Sequence, residues 1–99
     1  MPTFPGGDQA LMKYLSSHIN YPAMAQENGV QGRVVVQFVV TKTGKVGEVK
    51  VVRSVDKDLD REAVRVCKSL PNFVPGRQNG QPVNVWYTLP VTFKLQGTN

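Results

Sequence analysis

Residues 83–95, VNVWYTLPVTFKL, read as one β-strand that carries a proline at position 90. Apolar side chains occupy every second position from Val83 to Leu95. A period of two places one apolar face on a core and leaves the other face largely to water. Proline has no N–H for a ladder, so a strand that carries one usually lies at a sheet edge. Because an edge strand has unpaired backbone groups, we expect this segment to be the main binding surface.

The composition is typical of one small globular domain. The chain has 99 residues, of which 40% are hydrophobic and 19% are charged, which suits a single core and argues against a disordered tail. No apolar run approaches the ~20 residues of a membrane span, and the N-terminus lacks the basic and apolar regions of a signal peptide. The single cysteine, Cys67, excludes an internal disulfide.

The charge is mildly basic, with a formal net charge of +5. Such a balance favours acidic partners, nucleic acid or anionic membrane surfaces. The twelve Lys and Arg residues are nevertheless scattered along the chain, and no basic run occurs. This pattern indicates an ordinary solvated surface.

Two helical pieces are predicted in the first 30 residues. Gly7 or Asp8 can cap a first helix, whose apolar positions recur at every fourth residue. These positions are Leu11, Leu15 and Ile19. Pro22 biases Tyr21 away from helical angles and suits the first position of a short second helix over residues 23–28.

A hairpin is predicted next, from the alternation of residues 33–41 and of residues 46–55. Its loop contains Gly44, which can take the positive φ angle that longer hairpin loops require. The alternation of the second strand breaks at Val52-Arg53, which predicts a bulge or the end of the strand there.

A third helix is predicted over residues 59–70, with Asp56 or Asp58 as its N-cap. Its apolar stripe consists of Leu59, Ala63, Val66, Cys67 and Leu70. Phe73 is expected in the core, and a polar loop over residues 77–82 leads to the last strand. This order predicts an α+β fold, with two to three helices on one face of a three-stranded antiparallel sheet and an open edge at the last strand. Either hairpin strand could be the neighbour of the last strand.

The residues that carry catalysis or bind metals are sparse. His18 is the only histidine, and Cys67 falls on the buried stripe of the third helix, so neither a nucleophile–base pair nor a zinc site is expected. Residues 56–60 resemble the start of a calcium loop, but Arg61 and Cys67 stand where glycine and glutamate are required. We therefore expect no catalytic residue, no metal and no cofactor.

RNA binding is the main alternative from another class of function. Phe38, Trp86 and Tyr87 could form a stacking platform on the sheet. Phe38 and Tyr87, however, occupy strand positions whose side chains point to the core, which leaves Trp86 alone on the outer face. No nucleic acid is therefore expected, and a small basic RNA-binding α/β domain stays as the alternative.

Several short motifs follow one another along the chain. They are Tyr21-Pro22, Ala25, Gly32-Arg33-Val34, Phe38-Val39-Val40, Gly44-Lys45-Val46, LDREAV at 59–64, Phe73-Val74-Pro75-Gly76 and Phe93-Lys94-Leu95. This ordered set resembles the C-terminal domain of the TonB energy transducers of Gram-negative bacteria. The leading Phe4-Pro5-Gly6-Gly7 resembles versions from Bacteroidetes. The resemblance implies one domain over residues 1–99, with a core at about 21–95 and residues 1–20 as an N-terminal helix extension.

The resemblance also implies a function. Members of the family are non-enzymatic couplers, anchored to the inner membrane by a preceding segment that works with the proton-driven ExbB–ExbD motor. In the periplasm their C-terminal domain binds the TonB box, a short peptide of outer-membrane receptors that import siderophores, vitamin B12 or glycans. The box adds as a strand beside the domain's last strand, close to the Tyr-Pro motif. Carried over to this chain, the partner-binding residues are Tyr21, Pro22, Thr88, Leu89, Pro90, Val91, Thr92, Phe93 and Lys94.

Pro90 refines this expectation. Successive residues of a strand point their backbone groups to opposite sides, and a missing donor is tolerated best on the open side. Thr88, Pro90 and Thr92 should therefore face the partner. Two further alternatives stay open at this point: a TonB-like interaction domain attached to a membrane sensor or peptidase, and a weak homodimer.

Overall fold

The computed structural model of the chain describes residues 2–95. Three helices and five strands follow one another along the sequence. They are α1 (Gly7–His18), α2 (Ala23–Glu27), β1 (Gly32–Val40), β2 (Val46–Arg53), α3 (Lys57–Lys68), β3 (Gly76–Gln78), β4 (Gln81–Val83) and β5 (Val85–Phe93). Within these residues, no helix is both long enough and apolar enough to span a membrane.

The main sheet has three antiparallel strands in the order β2-β1-β5. β5 pairs with β1 over the full length of both strands, from Val85 opposite Val40 to Phe93 opposite Gly32. This arrangement confirms the predicted fold class and places β5 at an edge. The sequence left its neighbour open, and the structure identifies β1 as that neighbour.

β1 forms the centre of the core. Its alternate residues Val34, Val36, Phe38 and Val40 are fully buried, as their period of two predicts. Val35 lies opposite Arg53 while Val36 lies opposite Val51, so Val52 is the extra residue of a bulge. The break in alternation at Val52-Arg53 therefore marks both a bulge and the end of β2.

α3 covers the sheet with the predicted apolar stripe, which is buried throughout. Of the two candidate caps, Asp56 is the N-cap, and its carboxylate accepts hydrogen bonds from the N–H groups of Asp58 (3.0 Å) and Leu59 (3.3 Å). The helix consequently begins two residues before the predicted start. It ends at Lys68, ahead of Pro71, which cannot continue a helix.

The start of the last strand was predicted wrongly. Val83 belongs to β4, and Asn84 separates β4 from β5 while its side-chain oxygen accepts the N–H of Lys42 at 2.8 Å. The predicted loop over residues 77–82 is a small hairpin of β3 and β4, turned at Asn79-Gly80. Both turn residues have positive φ angles, 54° and 77°, as the tight hairpin turn requires. Lys94 and Leu95 follow the end of β5.

The second helix begins at residue 23 as predicted, but the residues that cap the two N-terminal helices differ from the prediction. The N-cap of α1 is Gly6, at φ 88°, whereas Gly7 and Asp8 lie in the first turn and no side chain caps the helix. The reason is a turn before the helix, in which the Gly7 N–H donates to the Phe4 carbonyl at 2.7 Å. Pro22 is the N-cap of α2 rather than its first residue, because its ψ of 135° is extended.

The N-terminal segment joins the core. Phe4, which the sequence analysis did not assign to the core, is buried, and its ring meets Phe73 edge-on at 5.3 Å between centroids. Thr3 and Val74 exchange backbone hydrogen bonds of 3.0 and 2.7 Å. Residues 2–6 thus hold the start of α1 against the segment that follows α3.

Candidate functional site

The free side of β5 is the main candidate site. One side of this nine-residue strand is fully paired with β1, and among residues 2–95 no strand pairs with its other side. The open side therefore carries backbone N–H and C=O groups that have no ladder partner. Such a row of groups can accept an extended peptide.

The predicted site residues of β5 divide between two faces. Leu89, Val91 and Phe93 are only 2–3% exposed and belong to the core. Thr88, Pro90 and Thr92 are exposed on the outer face of the sheet. The exposed residues can contact a partner on the outer face with their side chains. The buried residues pack into the core on the inner face of β5.

Pro90 lies opposite Val35 in the ladder. Proline has no N–H, so this pair cannot exchange two backbone hydrogen bonds. Bonded and non-bonded pairs alternate along an antiparallel ladder, which predicts that Thr88 and Thr92 share the outward direction of Pro90. The orientation derived from the sequence stays a prediction, and the register is compatible with it.

The two residues of the Tyr-Pro motif lie in different surroundings. Tyr21 packs edge-on against Phe93, with 5.6 Å between ring centroids, and its hydroxyl donates to the Val30 carbonyl. Pro22 instead lines a separate groove against α3, together with Asn20, Asp58, Arg61, Glu62 and Arg65. The structure thus brings Tyr21, but not Pro22, to the end of β5. Lys94 lines a shallow groove with Gln31, Gly32, Thr92 and Phe93.

A groove between α1 and β5 was missed by the sequence analysis. It has a volume of about 200 Å³ and is lined by Met12, Leu15, Ser16, Ile19, Pro90, Val91 and Thr92. We call it the α1 groove. Three residues of α1 and its C-cap, Ile19, follow the spacing i, i+3, i+4, i+7, which marks one face of a helix. This spacing could have indicated that Met12 and Ser16 share a helix face with Leu15. Both residues lie outside the predicted apolar stripe, however, and no local sequence pattern shows that β5 packs beside this face of α1.

The end of α1 is fastened to α3 by charged hydrogen bonds. Arg65 forms a 2.6 Å ion pair with Glu62 and also donates to the His18 carbonyl at 2.9 Å. Glu62 accepts the N–H of Asn20 at 2.7 Å. The hydrogen bond from Arg65 lowers the pKa of the Glu62 carboxyl, and the hydrogen bond from Asn20 and the positive charge of Arg65 act in the same direction. Together they outweigh burial, which raises this pKa. These contacts hold the α1–α2 connection in one position.

The outer face of the sheet bears on the RNA alternative. Trp86 is 46% exposed, whereas Phe38 is fully buried and Tyr87 is half-buried, as the alternation of side chains along their strands predicts. The Nζ of Lys50 lies 5.1 Å from the centroid of the Trp86 ring. One aromatic ring with a lysine over it offers a base little stacking surface.

Comparison with known proteins identifies relatives of this chain. Residues 17–95 match the family model described as the Gram-negative bacterial TonB protein C-terminal. TonB of Helicobacter pylori (strain 26695) is 33% identical over 97 residues, which cover 93% of this chain and 33% of the relative. Protein tonB2 of Pseudomonas aeruginosa is 33% identical over 76 residues, which cover 76% of this chain and 28% of the relative. The chain therefore spans about a third of these relatives.

Solved structures agree with these matches. A solution NMR structure of the H. pylori TonB C-terminal domain superposes with a TM-score of 0.69 at 27% identity, over 91% of this chain and 95% of that one. The solution structure of the P. aeruginosa TonB C-terminal domain gives a TM-score of 0.64 at 30% identity, over 82% of each chain. Since the family model matches most of the sequence and the fold is shared, this chain belongs to the family of TonB C-terminal domains of Gram-negative bacteria.

Proposed function

We propose that this chain is the receptor-binding domain of a TonB-type transducer and works in the periplasm. It docks the TonB boxes of outer-membrane receptors on the free side of β5 by strand addition. The observation that carries the proposal is the position of β5, a nine-residue strand at a sheet edge with one side open among the described residues. An anchor in the inner membrane, engaged with ExbB and ExbD, would precede the domain and supply the energy for nutrient import.

Strand addition suits a coupler that serves many receptors. Main-chain hydrogen bonds supply the affinity, so the sequence of the partner can vary. Thr88, Pro90 and Thr92 would present their backbone groups to the partner, with Pro90 contributing only its carbonyl. The docking needs no reacting group, which fits a non-enzymatic role.

The sheet is arranged to bear a load along β5. Its ladder with β1 runs over nine residue pairs, and β1 is itself held by β2 on its other side. A pull along the strand direction loads the hydrogen bonds of a ladder together. A docked peptide shorter than β5 makes fewer such bonds, so the peptide should detach before β5 leaves the sheet.

An NMR titration tests the proposal. Peptides copied from TonB boxes of receptors in the same organism should shift the amide signals of Thr88, Thr92 and Lys94, and those near Tyr21. The substitution Thr88→Pro should abolish most of the binding, since it removes a second donor from the open side. The matched variant Thr88→Val keeps the backbone N–H and should bind like the unmodified chain. An unperturbed β5 at saturating peptide would refute strand addition.

Amide exchange in the free chain tests the orientation of β5. Leu89 and Val91 should be protected, because their N–H groups bond to β1. Thr88 and Thr92 should exchange fast, because theirs point to water. The reverse pattern would show that β5 presents the opposite set of backbone groups.

A further inference from the structure

The α1 groove adjoins the proposed docking edge at residues 90–92 of β5. We propose that this groove is a specificity pocket, which receives one apolar side chain from the strand docked on β5. The inference rests on the proposed function and adds a side-chain requirement to docking through the backbone. Its occupant is an extended peptide segment with an aliphatic or aromatic residue at an inward-facing position.

The geometry of strand addition directs a side chain into the groove. Side chains of a strand alternate between faces, and directly opposite residues of paired strands lie on the same face. Val91 faces inward and lines the α1 groove. The residue of a docked strand beside Val91 must therefore point to the same inner side, where α1 lies next to the edge.

The lining selects an apolar group. Leu15 and Val91 are buried in the core, while Met12 is 47% exposed and Ile19 is half-buried. No charged side chain lines the groove. The hydroxyl of Ser16 already donates to the Lys13 carbonyl at 3.0 Å. A polar side chain entering the groove would lose water and gain few partners, which costs free energy.

The size of the groove fits one large side chain. Its volume is about 200 Å³, and an apolar cavity of roughly 150 Å³ can hold benzene. The flexible thioether of Met12 can adapt to different occupants. A leucine or a phenyl ring should therefore fill the groove, whereas alanine should leave most of it empty.

Contacts at both ends of α1 form the groove before a ligand arrives. Within the helix, the Tyr14 hydroxyl donates to the Ser69 carbonyl at 2.7 Å. At its C-terminal end, the Arg65 guanidinium donates to the His18 carbonyl at 2.9 Å. Phe4 packs on Phe73 ahead of the helix. A pocket that is already in place spares the docked strand the cost of ordering the helix.

A double-mutant cycle tests the pocket. One peptide, ETLTLTLTE, alternates Thr with Leu, and a second carries Ala at the three Leu positions. Because a one-residue slip would turn every Leu outward, the first peptide should bind with its Leu face inward. Binding of both peptides is measured by titration calorimetry and by amide shifts of β5, with TonB-box peptides as the reference for docking.

Two variants of the groove and one control complete the cycle. Met12→Ser should reduce the preference for the Leu peptide over the Ala peptide about fivefold, since it removes apolar contact area. Ser16→Phe should fill the groove and weaken the Leu peptide more than the Ala peptide. Met24→Ser changes a methionine that is 61% exposed on α2, away from the groove, and should leave the preference unchanged.

The outcomes separate the pocket from the docking edge. If the Leu peptide shifts β5 but Met12→Ser leaves the preference unchanged, the pocket is refuted and docking by strand addition stands. If TonB-box peptides shift β5 while neither synthetic peptide binds, the pocket is again refuted. If no peptide shifts β5, the proposed function fails together with the pocket.

Discussion

Gly44 lies where the β1–β2 loop packs against the backbone of Phe73. Its φ of 89° confirms the positive angle predicted for the loop, and its carbonyl accepts the Phe73 N–H at 2.7 Å. A Cβ at this position would lie 2.1 Å from the Phe73 carbonyl oxygen. The position thus requires glycine for its dihedral angle and also for its contact.

Replacing Gly44 by alanine should therefore combine two penalties. We expect Gly44→Ala to lower the free energy of unfolding by about 2–3 kcal/mol, as measured by urea titration. Gly29→Ala is the matched control, because Gly29 has a φ of 67° and open space around the added methyl group. It should cost about 1 kcal/mol, from the dihedral angle alone. Equal losses in the two variants would exclude a role for the Phe73 contact.

Cys67 makes stability depend on alkaline pH. Burial in the core raises the pKa of its thiol from 9.0 to about 12. The unfolded chain therefore loses a proton above pH 9 that the folded chain keeps, and the stabilisation from this residue falls as the pH rises from about 9 towards 12. The slope approaches about 1.4 kcal/mol per pH unit.

The variant Cys67→Ala isolates this effect from other groups that titrate at alkaline pH. Urea titrations between pH 8 and pH 10.5 should show the unmodified chain losing stability relative to the variant above pH 9. A constant difference between the two chains across that range would mean that the folded thiol ionises as readily as the unfolded one.

At the level of elements, the patterns that depend on neighbouring residues were predictable. The period of two located the buried face of β1, and the spacing of Leu59, Ala63 and Val66 located the buried stripe of α3. The hairpin of β3 and β4 was not predicted, although Asn-Gly favours a tight hairpin turn, and strands of three residues each are too short to show a clear alternation. The neighbours of β5 were not predictable. The pairing of β5 with β1 and the approach of α1 both depend on contacts between residues that are far apart in the sequence.

The connection between α1 and α3 yields a prediction of its own. Glu62→Gln keeps the shape of the side chain but weakens its bonds to Arg65 and to the Asn20 N–H. We expect a loss of about 1 kcal/mol, since the pair is partly exposed to water. The lowered pKa of Glu62 means that this stabilisation is present above pH 4.5 and disappears as the pH falls through the folded-state pKa.

Urea titrations at pH 6 and at pH 3 test this expectation. The variant should be less stable than the unmodified chain at pH 6, and the difference should shrink at pH 3. Glu27→Gln, an exposed change at the end of α2, serves as the control and should have no effect at either pH. A difference for Glu62→Gln that is the same at both pH values would show that the charge of Glu62 is not what holds the connection.

For the whole molecule, the decisive question is how far the fold depends on the segment before the Tyr-Pro motif. The family match begins at residue 17, yet Phe4, Leu11 and Leu15 are buried in the same core as β1 and α3. Burying a large apolar side chain contributes roughly 1.5–3 kcal/mol, so the three together contribute on the order of 5 kcal/mol. A domain of this size has a total stability of about 5–15 kcal/mol.

Deleting residues 1–16 should therefore leave a chain that is marginally folded, with an exposed apolar surface over Phe73 and Val91. Urea unfolding followed by circular dichroism should show a strongly lowered midpoint. A full-length chain with Lys13→Ser, a change on the exposed side of α1, should keep the midpoint of the unmodified protein. Truncation without loss of stability would mean that the sheet and α3 form a sufficient core, and that α1 serves only the docking edge beside it.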